Sequence, residues 1–88
     1  MIAGNVNQFA PTSITAPADE PFQIWFTNLE NVPHNVHVKD AAGATMGAAG
    51  EIFNGPGARA LDVPALTAAT YRVVCDVHPD MTAELVAN

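Results

Sequence analysis

The chain has 88 residues, nine acidic against three basic for a formal net charge of −6, and 49% of it is hydrophobic. At that length it is one domain, residues 1–88, burying only about 60 to 65% of the surface its unfolded form exposes. The charge excludes a phosphate backbone as partner, since nucleic-acid binding starts from a basic patch, and no stretch approaches the ~18 uninterrupted apolar residues of a membrane span.

Sixteen of the apolar residues are alanine, so the substantial core-formers are the Phe, Ile, Leu, Val and Trp positions. A single cysteine cannot form an internal disulfide and leaves the redox compartment undefined. No basic segment followed by an apolar run opens the chain, so no signal peptide is visible.

In chain order, short strands are expected over NVNQF (5–9) and TSIT (12–15), followed by turn chemistry in APAD (16–19). In PFQIWFTN, Phe22, Ile24 and Phe26 share one face and Gln23, Trp25 and Thr27 the other, the alternation of a strand with one buried face. Trp25 is nevertheless expected in the core rather than as a redox relay, having no Cys or Tyr radical partner nearby in the sequence. NLENVP (28–33) reads as a turn, NVHV (35–38) as a strand, and AAGATMGAAG (41–50) as a loop. Its three glycines each cost a helix about 1 kcal/mol relative to alanine. EIF (51–53) and ARALDV (58–63) are strand candidates around the NGPG turn, and LTAA (66–69) is a further turn. TYRVVCD alternates again, with Tyr71, Val73 and Cys75 opposite Arg72, Val74 and Asp76, and TAELVA (82–87) closes the series. Many short strands with Gly and Pro punctuation predict an all-β fold, a Greek-key antiparallel β-sandwich of seven to eight strands.

The chemistry gathers in YRVVCDVHPDM. A lone cysteine on an apolar strand face ordinarily reads as a small buried hydrophobe. Here Cys75, His78 and Met81 stand three residues apart in succession, a spacing whose chance occurrence in so short a chain is on the order of one in a thousand. A tight loop at a strand end directs such a set at one ion, and thiolate, imidazole and thioether together suit copper. A trigonal His, His, Cys set with a long axial Met needs a second histidine. His34 is the better candidate, since Val32-Pro33 supplies a rigid approach to it. On a regular strand His37 faces away from His34, which predicts a surface position off the metal. Met46, in the glycine-rich loop, is expected as a core or rim residue.

With VPHNV at 32–36 and TYRVVCDVHPDM at 70–81, the chain resembles the cupredoxins, in particular the plastocyanin and amicyanin branch, with looser similarity from Phe22 to Ala87. The resemblance implies one copper ion held by His34, Cys75, His78 and Met81, and the two-residue gaps between the last three look like the short amicyanin loop. It also implies that Asn35 ties the two ligand-bearing segments together. Asp76 departs from the Thr or Ser often found after the cysteine, and Ala68-Ala69 replaces a glycine-containing turn, which leaves the detail of the Asn35 tie and of that turn open.

The function so implied is a monomeric electron carrier cycling Cu(I)/Cu(II) in a periplasmic or otherwise extracytoplasmic setting. Its partner would be a cytochrome, a dehydrogenase or another redox protein, and His78, ringed by apolar residues, would be the electron port. With four coordination positions filled by protein, no position is left for substrate, which argues against an enzyme. A binuclear copper centre needs a second cysteine in the loop. The competing readings are a copper storage or delivery module, a cupredoxin domain of a larger redox protein, and a metal-free adhesion sandwich.

Overall fold

The computed structural model describes residues 1–3 and 7–88. Ten strands make up the regular structure of these residues: β1 Ile2–Ala3, β2 Phe9–Ala10, β3 Ser13–Ala16, β4 Phe22–Asn28, β5 Pro33–His34, β6 His37–Lys39, β7 Phe53–Asn54, β8 Gly57–Val63, β9 Ala69–Val74 and β10 Thr82–Ala87. They form two four-stranded sheets, in the orders β2-β1-β4-β8 and β3-β10-β9-β6, and a small β5-β7 pair. The all-β sandwich expected from the sequence is present, with four strands of only two residues among the ten. Residues 5 and 6 of the expected 5–9 strand lie outside the described residues, and Phe9 pairs in β2. The loop over 41–50 carries no helix, as its glycines dictate, only an isolated bridge from Lys39 to Thr45.

Two pairings differ from the antiparallel expectation. β1 runs parallel to β4, with Ile2 opposite Thr27, and β3 runs parallel to β10, with Ser13 opposite Glu84. Turn chemistry reports hairpins between neighbouring strands and carries no signal for pairings that join distant segments, so neither was legible.

The alternation of β4 and β9 builds the core as its pattern dictates. Ile24 and Phe26 from one sheet and Tyr71 and Val73 from the other are buried between the layers, and Cys75 continues the inward face just past the end of β9. Phe26 sits edge-on between Phe9 and Phe53 at ring separations of 5.9 and 5.8 Å. Each such ring contributes about 1.5–3 kcal/mol by leaving water, and the edge-to-face geometry adds to it. Trp25 corrects the sequence reading: it is 62% exposed, because the register that buries Ile24 and Phe26 turns it outward with Gln23. The strand's own periodicity decides the side.

The segment expected as a continuous strand over 35–38 is broken. β5 ends at His34, β6 begins at His37, and His34 through Val38 are all buried. Alternation fails because both sides of the segment are covered. Loop 41–50 lies on the outer side, where Met46 N–H donates to the Val38 carbonyl and Gly50 N–H to the Val36 carbonyl at 2.9 Å each. A Cβ on Gly50 would stand 2.5 Å from the Val36 oxygen, so that contact requires glycine.

Candidate metal centre

Three elements converge at one end of the sandwich. β5 delivers His34, the end of β9 delivers Cys75, and the turn between β9 and β10 delivers His78. The ligating atoms of these three residues lie within 4.8 Å of one another. Cys75 Sγ is 3.8 Å from His34 Nδ1 and 3.7 Å from His78 Nδ1. Donors bound to one first-row ion at about 2.05 Å for nitrogen and about 2.3 Å for sulfur stand about 3.8 Å apart at trigonal angles and about 3.6 Å apart at tetrahedral ones. Both observed sulfur–nitrogen separations therefore fit donors of a single ion at angles near trigonal.

The loop that carries the set is closed by two backbone hydrogen bonds. Met81 N–H donates to the His78 carbonyl at 2.9 Å, and Cys75 N–H to the Met81 carbonyl at 3.1 Å. This brings Met81 back beneath the loop with its side chain 1% exposed. His34 and Cys75 are buried, and His78 alone of the three is partly exposed.

Asn35 joins the two ligand-bearing segments. Its Nδ2 donates to Asp76 Oδ2 at 2.8 Å and to the Gly50 carbonyl at 3.2 Å, while Asp76 N–H donates to Asn35 Oδ1 at 2.8 Å. The tie survives the change at position 76, and aspartate adds a partner: His37 Nδ1–H donates to Asp76 Oδ1 at 2.9 Å. Since a carboxylate only accepts, His37 Nδ1 carries a proton, and Nε2 meets the Thr45 hydroxyl 2.7 Å away. This corrects the surface position expected for His37. Loop 41–50 covers it, and it is buried without joining the His34, Cys75, His78 cluster. Burial, the largest single influence on Asp76, pushes its pKa up. The hydrogen bonds from His37 and Asn35, aided by the charges of His37 and Lys39, outweigh it and hold the carboxyl below its ordinary value.

Two residues of the 28–33 turn enter the site without having been singled out in the sequence. Asn28 is fully buried at the end of the inward face of β4, and its Nδ2 donates to the carbonyls of Val32 and Phe53 at 2.9 and 3.0 Å. Period two already placed it inward after Ile24 and Phe26, and a polar residue on an apolar face is the signal that marks it. Glu30 Oε1 accepts from His34 Nε2–H at 3.0 Å and from the Asn7 N–H at 3.0 Å. The Asn7 backbone bond is the main reason its pKa falls below the ordinary value. Burial opposes that shift, and the His34 contact adds to it.

Fold and donor cluster together define a class, a β-sandwich presenting a His, Cys, His set beside a buried methionine at one pole. The chain belongs to the cupredoxin-like domain family, whose pattern matches residues 2–87. Among solved structures it is similar to auracyanin A, a "blue" copper protein from Chloroflexus aurantiacus, with 23% identity over 97% of this chain and 92% of that one and a TM-score of 0.81. Auracyanin from Roseiflexus castenholzii superposes with a TM-score of 0.84 at 15% identity, covering 99% and 93% of the two chains. Amicyanin from Paracoccus versutus gives 0.70 at 24% identity, covering 99% and 79%. At these identities the likenesses establish the fold. No curated protein matches the sequence.

Proposed function

We propose that this protein is a small electron carrier, one domain holding a single copper ion through His34 Nδ1, Cys75 Sγ, His78 Nδ1 and the Met81 thioether. The observation that carries the reading is the convergence of His34, Cys75 and His78 at separations matching one shared ion. Cysteine and imidazole in a plane with a weak thioether is the donor chemistry of a blue-copper centre, which supplies a one-electron Cu(I)/Cu(II) couple. The protein's own part is to keep those donors still. Asn35 and Asp76 fix the two segments against each other, the loop hydrogen bonds fix the turn, and the buried side chains exclude water. Four protein donors leave no place for a substrate, so the chain acts as a carrier and not as an enzyme.

His78 is the exit and entry point for the electron, being the one donor with solvent exposure. Of six exposed large apolar side chains among the described residues, Leu29, Val32, Ile52 and Val77 lie on segments that carry or flank the donors, which suits brief docking of a redox protein such as a cytochrome or a dehydrogenase. No helix among the described residues is long and apolar enough to cross a membrane. The family resemblance favours an extracytoplasmic carrier that works as a monomer.

Titration with Cu(II) followed by visible spectroscopy tests the reading. One equivalent should produce an intense thiolate-to-copper band that bleaches and returns with reductant and oxidant, and Cys75→Ser should abolish it. Colourless binding would indicate storage or delivery, and absence of binding would indicate an interaction domain.

A further inference from the structure

We infer that Glu30 is a positioning residue for the metal centre: its carboxylate selects the His34 tautomer that turns Nδ1 toward Cys75, and its fixed negative charge biases the site toward Cu(II). The inference rests on the copper reading above. Its starting point is that His34 is fully buried and both of its nitrogens are committed, Nδ1 toward Cys75 Sγ at 3.8 Å and Nε2 toward Glu30 Oε1 at 3.0 Å. An ionised carboxylate has no proton to give, so the hydrogen lies on Nε2 and the Nδ1 lone pair is left for the metal.

Glu30 is itself held in place. Its side chain also accepts the Asn7 N–H, its own N–H donates to Asn28 Oδ1 at 2.9 Å, and its carbonyl accepts from Gly55 N–H at 2.9 Å. Asn28 in turn is buried and doubly bonded to Val32 and Phe53, and Phe53 pairs with His34 across β5-β7. The carboxylate therefore reaches the imidazole as a rigid strut. A partner of this kind makes the ring a stronger donor, and a nearby negative charge favours the more positive oxidation state. Both effects lower the reduction potential. His78 shows no carboxylate partner among the described residues, so the two imidazoles are electronically unequal.

Glu30→Gln keeps an acceptor for Nε2–H and removes only the charge, whereas Glu30→Ala removes both. Spectroelectrochemistry on the copper-loaded protein should show the blue band retained in Glu30→Gln with Cu(II) affinity, relative to Cu(I), about tenfold lower. That change corresponds to a potential about 59 mV higher for a one-electron couple. Glu30→Ala should lose ten- to a hundredfold. Glu84→Gln removes an equal charge from the exposed face of β10 and should leave the potential nearly unchanged. Equal shifts in Glu30→Gln and Glu84→Gln, or none in either, would overturn the bias.

The tautomer is read without copper, from imidazole nitrogen shifts of the apoprotein at about pH 8, where an ordinary imidazole is neutral. Protonated Nε2 and bare Nδ1 on His34 are expected, with mixed tautomers in Glu30→Ala. A proton on Nδ1 in the native apoprotein would overturn the strut. If the native protein takes up copper without the thiolate band, the carrier reading fails while this result on His34 stands by itself.

Discussion

The two histidines of the site are held in opposite ways. His34 stands on a segment covered on both sides, fully buried, with Pro33 before it, Asn35 after it and Glu30 on its far nitrogen. His78 sits in a short turn closed by two backbone hydrogen bonds, and its neighbours Val77, Pro79 and Asp80 are exposed. One end of the site is over-determined by packing and polar bonds. The other is held by little besides the turn. A carrier needs both conditions, because rigidity keeps the geometry common to both oxidation states and exposure lets the electron leave.

The largest effect should come from removing the buried tie on the rigid side. Asn35→Ala strips the Asp76 N–H and the Gly50 carbonyl of their partners in a fully buried place. Apoprotein stability in urea should drop by about 2 kcal/mol or more, together with copper affinity. A loss under ~0.5 kcal/mol would mean that packing alone holds the two segments.

The contrast itself is tested by truncating each imidazole. His78→Gly opens a cavity at the surface, so added imidazole should restore the visible band. His34→Gly opens one behind buried side chains and should resist rescue at the same concentration. Equal rescue of both variants would show that the β5 side admits small molecules as freely as the turn.

A smaller effect concerns acid. The Asp76 pKa is lower in the folded chain than in the unfolded one, so the carboxylate adds stability that is full above its unfolded value, about 3.9. That stability fades as pH falls through the folded value. Urea midpoints of the apoprotein taken down through that window should fall less steeply in Asp76→Asn than in the native chain. With about a third of the side chain exposed, at 34%, the difference in slope will be modest.

Smaller still, His37→Ala should leave the visible band in place, since that ring is outside the donor cluster. It should cost about 1 kcal/mol through the lost bonds to Asp76 and Thr45. Loss of the band would place His37 in the ligand sphere.

The candidate donors could be proposed from the sequence because their chemistry is local: three of the four fall within seven consecutive residues, and period two in β9 set the direction of Cys75. The core faces of β4 and β9 were legible for the same reason. What escaped depends on which segments cover which. His37 was placed outside because alternation presumes one open face, whereas loop 41–50 closes it. Trp25 was placed inside against its own strand pattern. Glu30 lay in a turn, where no periodicity predicts direction, and only the position of His34 four residues later gives it a partner. The parallel β3-β10 pairing joins residues 71 positions apart, Ser13 to Glu84, and no local signal spans that distance.

That last pairing also bears on how the chain is made. β10 occupies an inner place in its sheet, between β3 near the start of the chain and β9. During synthesis, at about 5–20 residues per second, β3 emerges long before its partner and must wait with one edge unmatched. Such distant pairings are formed late and make for slow folding. Residues 82–87 also follow the Cys75–Met81 turn directly, so the strand that completes the sheet anchors the far side of that turn. The candidate pocket is complete only once β10 has paired with both β9 and β3, and before that Cys75 is only a loose thiol.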